Sequence, residues 1–273
     1  MRPKSMVFLL ILAISGLASG CASGPEQRKR VSYRTSAKEN FIKGKKAFDD
    51  EDFLEAIEFF KFVKNKFPYS KYATEADLYL AECHFGRERY IEAADAYLNF
   101  AKLHPKNEKM PYALFQIGNC YFKRIPDDWW FTPPAYEMDQ VETHRAIREI
   151  NRYIKRFPEH ENAKEANELL QKCLRRMGDQ TRYVMNFYYQ RGHYQGVSWR
   201  ADEILSKYSG LGFDEEALFK KARAQIELKD PAGAKESLQQ LITRFPSGDY
   251  ADDAKEKLSE LAANPPKPRE GSK

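Results

Sequence analysis

Phe53-Leu54-Glu55-Ala56-Ile57-Glu58-Phe59-Phe60-Lys61-Phe62-Val63-Lys64-Asn65-Lys66-Phe67-Pro68 reads as a helix stopped by a proline, and its ending recurs along the chain. Phe157-Pro158 and Phe245-Pro246 repeat it, and His104-Pro105 and Tyr208-Ser209 stand at related places. The ends at 68, 105, 158, 209 and 246 are separated by 37, 53, 51 and 37 residues. A period of about 20–50 residues is the mark of a solenoid, whose units each leave an apolar stripe for the next to cover. Proline stops each unit because it has no N–H and keeps the residue before it out of helical geometry.

The positions inside the period are also regular. Twenty-four residues before the end stand Gly44, Ala81 and Ala222, which let two helices approach closely. Twelve before stand Ala56, Ala93, Ala146 and Ala234, and eight before stand Phe60, Tyr97, Ile150 and Leu238, which fill the space between helices. Phe53 and Tyr90 hold an aromatic fifteen before. This pattern resembles the tetratricopeptide repeat (TPR), a helix-turn-helix unit, here slightly lengthened, and Leu114–Lys123 is its clearest first helix.

The expected fold is therefore all-α, a tetratricopeptide-repeat solenoid of about five units. Units one to three occupy 37–160 (37–70, 74–107 and 111–160). Units four and five occupy 178–210 and 215–248 within a second segment, 161–263. A helix from about Asn162 to Met177 precedes unit four and ends near Gly178, read as its C-cap. A capping helix spans Ala254–Leu261, and a polar tail with three prolines, 264–273, is expected to be disordered. The third unit is split by an insertion at 125–140 that carries Trp129-Trp130-Phe131, either folded over the neighbouring groove or touching a partner.

Ahead of the repeats, Arg2 and Lys4 precede an apolar run from Met6 to Leu17, too short for the ~20 residues a membrane span needs. It fits a cleaved export signal. The run ends in Leu17-Ala18-Ser19-Gly20-Cys21, which resembles a bacterial lipobox, with Ala18 where leucine is commonest. The expectation is a signal peptide over 1–20, lipid on Cys21, and a flexible tether over 21–36. Ala22, rather than aspartate, follows the cysteine and leans towards the outer membrane.

Removing the signal takes away only two charges and leaves a net charge of +3, too balanced for a dedicated nucleic-acid binder. Cys83, Cys120 and Cys173 fall in helical patterns and read as buried free thiols. No metal-ligand spacing, phosphate loop, nucleophile elbow or dinucleotide fingerprint is present, so the expectation is no enzyme, no cofactor and no metal.

A tetratricopeptide stack binds peptides along its concave face, lined by the first helix of each unit. By repeat position that face is expected to present Lys38, Phe41, Lys45 and Phe48, then Leu78, Glu82 and Phe85, then Tyr112, Phe115, Asn119 and Phe122. Aromatic residues with a few cations suit an extended peptide bearing aromatics and a carboxylate. Packing between helices is an equal reading for Phe48 and Phe122.

The lipobox, the tether, five units closed by Phe-Pro or its counterparts and the split third unit together resemble the BamD family, also called ComL or YfiO. Phe187-Tyr188-Tyr189-Gln190-Arg191-Gly192 with Tyr194 is similar to that family's F-Y-Y-x-R-G-x-Y motif, and Asp139-Gln140 is similar to its third repeat. The Trp-Trp-Phe insertion has no match there. The resemblance implies a lipoprotein on the periplasmic face of the outer membrane, in the β-barrel assembly machinery. Its implied partners are the POTRA domains of the barrel subunit, docked by the C-terminal half; other assembly lipoproteins; and unfolded barrel precursors, held by the N-terminal repeats. A pilotin for a pilus secretin, a scaffold for cell-wall enzymes and an enzyme regulator remain as other readings.

Overall fold

The expected helix stops are where the chain turns. Phe67, His104, Phe157 and Phe245, each before a proline, share φ between −124° and −134° and ψ between 53° and 63°, outside helical geometry. Tyr208 ends its helix at φ −125° with no proline after it. The computed structural model describes residues 32–126 and 133–263, in which every regular element is helical. The helices are α1 (Ala37–Asp49), α2 (Phe53–Lys66), α3 (Lys71–Gly86), α4 (Tyr90–Leu103), α5 (Met110–Lys123), α6 (Val141–Arg156), α7 (Ala163–Gln190), α8 (Tyr194–Lys207), α9 (Asp214–Glu227), α10 (Pro231–Arg244) and α11 (Ala251–Ala263), with a short 3₁₀ turn at Ala135–Glu137. Consecutive helices pack on one another from α1 to α11, the nearest-neighbour stacking of a tetratricopeptide solenoid.

Small residues admit large ones where the period places them. A Cβ on Gly44 would come within 2.9 Å of the Phe60 ring, and one on Gly118 within 2.6 Å of Ile150. Phe60 and Ile150 are fully enclosed and also form part of the core shared with the next helix. Short turns join α1 to α2, α3 to α4 and α9 to α10. They place Glu51, Glu88 and Lys229 in the left-handed region at φ 58–59°. Gly192 takes the same role between α7 and α8 at φ 70°.

Two expectations change. Gly178 does not end a helix: α7 runs unbroken through it for 28 residues. Glycine stands there because a Cβ would fall 2.3 Å from the ring of Phe213, which packs across the helix. The capping helix is longer than expected, reaching from Ala251 to Ala263.

The described end of the 21–36 segment is bound rather than free. Tyr33 stacks on Phe62 at 4.1 Å, and Asn40, fully buried, accepts from the Arg34 amide and donates to the Arg34 and Ser36 carbonyls at 2.8 Å. Arg176 of α7 holds both sides of the third-unit insertion, donating to the Pro126 carbonyl and the Gln140 side chain. Cys21, Trp129-Trp130-Phe131 and the tail 264–273 lie outside the described residues.

Candidate peptide groove and a second aromatic surface

The first three units enclose an open groove of about 850 Å³. One face of α3 supplies Lys71, Thr74, Glu75, Leu78 and Glu82, spaced by three and four residues as a helical face requires. Phe48 of α1, Tyr79 of α3, Phe100 of α4 and Tyr112 of α5 complete the apolar wall, and Lys109 and Glu161 stand at the rim.

Four of the residues expected on this face line it: Phe48, Leu78, Glu82 and Tyr112. Lys45 stands beside it. Its ammonium donates to the Tyr79 hydroxyl at 3.2 Å and lies 3.8 Å from Asp49; the hydrogen bond to Tyr79 raises its pKa. Lys38 is exposed two turns earlier on α1. The others face inward. Phe41 is 6% exposed among the rings of Phe60, Tyr72 and Tyr79. Phe115 is buried against Tyr153, and Phe85 packs on Tyr90. Phe122 lies in a separate cavity with Tyr136, below the Lys172 ammonium.

Asn119 is buried but tied to the groove. Its amide donates to Gln116 at 2.9 Å, and Gln116 donates to the Tyr112 hydroxyl at 2.8 Å. Burial pushes the Glu82 carboxyl above the usual carboxylate range, against the pull of hydrogen bonding from the Tyr112 and Tyr97 phenols. Burial also pushes the Cys83, Cys120 and Cys173 thiols up to about 12, so these free cysteines are inert at neutral pH. Among the described residues no group of His, Cys, Asp and Glu is arranged to hold a metal ion.

Lys71, Thr74, Glu75 and Tyr79 belong to the groove although repeat position alone does not mark them. Counting back along α3 by three and four from Leu78 and Glu82 finds all four. Lys109 and Glu161 come from inter-unit loops, for which spacing carries no signal.

A second concave surface, of about 820 Å³, lies where α7 turns into α8. Trp199 stands there 67% exposed, with Tyr188, Tyr194, Arg200 and Glu203. The Phe187–Tyr194 stretch builds this corner. Tyr188 packs against Gly196, Tyr189 lies beneath Lys220 and Arg223, and the Arg191 guanidinium covers the half-exposed Phe187 ring at 4.3 Å.

The family described as "YfiO: Outer membrane lipoprotein" matches residues 34–237. Among curated proteins, "Outer membrane protein assembly factor BamD" of Neisseria gonorrhoeae is 25% identical over 253 residues, covering 88% of this chain and 92% of its own length. The protein of the same name from Caulobacter vibrioides is 22% identical, covering 97% of this chain and 83% of its own. Among solved structures, the TPR2AB domain of yeast Sti1 in a pHSP90 complex is similar at 14% identity and a TM-score of 0.42, over 83% of this chain and 86% of that one.

Proposed function

This chain belongs to the YfiO family of outer membrane lipoproteins, and we propose that it is a non-enzymatic assembly factor for outer membrane proteins, anchored by lipid on Cys21 at the periplasmic face. The observation that carries the reading is the open groove of the first three units. It has aromatic walls at Phe48, Tyr79 and Tyr112, with Lys45, Lys71 and Lys109 beside it or at its rim. Such a surface suits an extended segment of an unfolded barrel precursor with aromatic side chains and a terminal carboxylate. Aromatic faces supply contact area at little entropic cost, and lysines supply the charge complement.

The Trp199 surface supports docking of the C-terminal half onto the POTRA domains of the barrel subunit. An exposed tryptophan with an arginine at its side has the composition of an interface hot spot. The anchor adds a geometric limit. Twelve residue steps separate Cys21 from the docked Tyr33, so the chain reaches at most about 40 Å between lipid and body.

Co-purification from gently solubilised membranes tests the reading. Recovery of a POTRA-bearing barrel subunit together with precursor proteins is the expected result. Recovery of a secretin or of peptidoglycan enzymes in its place overturns it.

A further inference from the structure

Glu82 is an enclosed carboxyl without a cation. Several other acids set into this fold have one: Asp77 has Lys64 at 2.6 Å and His104 at 3.0 Å, Glu149 has Arg148 and Arg152, and Asp214 has Arg244. Glu82 takes part in no ion pair among the described residues. A carboxylate out of water is costly unless it is paired and hydrogen-bonded. Yet Glu82 opens into the groove, where a ligand group has room to reach it.

Two phenols beside it favour the charged form, against the cost of burial. The Tyr112 hydroxyl accepts from Gln116, so its own O–H is available to the carboxylate. Gln116 is held in turn by Asn119. Tyr97, fully buried beside Glu82, has no other hydrogen-bond partner for its hydroxyl among the described residues, which makes it a second donor to the carboxylate. Two phenols and an amide relay are positioned, and the missing component is a positive charge.

We propose that Glu82 is the specificity-determining subsite of the groove, taking the ammonium or guanidinium of a lysine or arginine on an extended peptide whose neighbouring aromatic residue rests against the paired Tyr79 and Phe48 rings, 5.3 Å apart. In an extended strand, side chains two residues apart face the same way, about 6.5–7 Å apart. The matching pattern is therefore an aromatic two residues to one side of the cation, since the Tyr79 and Phe48 rings form a single platform. The inference rests on the reading of this groove as a peptide site, and it adds an internal cation to the aromatic and carboxylate features named above.

The test uses the full mature chain in detergent and two synthetic peptides of about eight residues. Each has phenylalanines two places either side of a central position, which holds lysine in one and norleucine in the other. Titration calorimetry is expected to show wild type preferring the lysine peptide by about tenfold. Glu82→Gln, its fold verified by circular dichroism, is expected to lose that preference while keeping its affinity for the norleucine peptide. Equal binding of both peptides by wild type overturns the role of Glu82 and leaves the groove standing. Binding of neither overturns both.

Discussion

Replacing Gly178 with alanine separates two accounts of this fold. In an ordinary helix interior the change stabilises by about 0.5–1 kcal/mol, because glycine has more backbone freedom to lose. Gly178 sits in the middle of α7, but its Cβ would lie 2.3 Å and 2.8 Å from two carbons of the Phe213 ring. That ring is 3% exposed, covered by Arg182 and packed with Met177, Met185 and Ile204, so it has nowhere to go. Overpacking of this kind costs about 1–3 kcal/mol. Net of the helix gain, Gly178→Ala should lose about 1–2 kcal/mol, which lowers Tm by roughly 2–8 °C in a protein of this size. Phe213→Leu should cost about 1 kcal/mol on its own. The double variant should be more stable than the sum of the two losses allows, since the smaller side chain makes room for the methyl group. Thermal and urea unfolding followed by circular dichroism measure all three. A Gly178→Ala protein as stable as wild type, or additive losses in the double variant, would refute the close-approach account.

Four further outcomes follow from the same structure. Asp214 is 2% exposed; burial opposes its ionisation, but the Ser209 hydroxyl, the Gly210 amide at 2.7 Å and Arg244 outweigh it and hold the carboxyl below the usual range. Its contribution is therefore full above the ordinary carboxylate pKa of about 4 and lost as pH falls through the lower folded value; Asp214→Asn should cost about 2 kcal/mol at pH 7 and flatten the acid limb of a Tm–pH profile. Glu82 is the opposite case: its raised pKa is a penalty that sets in as pH rises from the ordinary value through the folded one, so Glu82→Gln should raise Tm at pH 7 and lose that advantage in acid. Phe41→Ala should cost about 3 kcal/mol by denaturant unfolding, as a core deletion, whereas Lys45→Met on the same helix, which gives up only an exposed pair with Asp49 and an exposed hydrogen bond to Tyr79, should stay within about 1 kcal/mol. Lys229→Gly should stabilise by about 0.5 kcal/mol in the same assay, because Lys229 is held at φ 58°.

What was legible in the sequence is what local chemistry dictates. Proline after Phe67, Phe157 and Phe245 marks helix ends because the restriction acts on the adjacent residue. Gly44 and Phe60 are legible as a pair because the period repeats their spacing. Gly178 was misread because its reason lies in Phe213, 35 positions away, and a glycine alone does not tell a cap from a close approach. The turn residues Glu51, Glu88 and Lys229 carry no signal at all: charged side chains occupy a backbone region that glycine would mark, as Gly192 does in α7–α8. In the groove, periodicity puts Phe41 and Phe48 on neighbouring parts of α1 but does not say which one the next unit covers. Tyr72 and Tyr79 cover Phe41 and leave Phe48 at the groove. The setting of Glu82 is made by Tyr97 and Tyr112 from two other helices, so only the folded chain displays it.

The continuity of α7 also constrains how the two surfaces work together. A helix that ended at Gly178 would put a turn, and with it a natural hinge, between the groove of the first three units and the Trp199 corner. The structure has none. α7 shares a core with α6 through Ala166, Leu169, Leu170 and Cys173 and with α8 through Met177 and Met185, and at Gly178 it is gripped by Phe213 from the following unit. Sharp bends in helices arise at proline, at inserted residues or where a side chain breaks the backbone ladder. α7 contains no proline, and its one glycine is held from outside. Movement between the two surfaces would have to break the Gly178–Phe213 contact and the core around Met177 and Met185. On the proposed function, a client held at Tyr79 and Glu82 is then passed on by its own release and rebinding, against a scaffold that keeps groove and docking corner in one register.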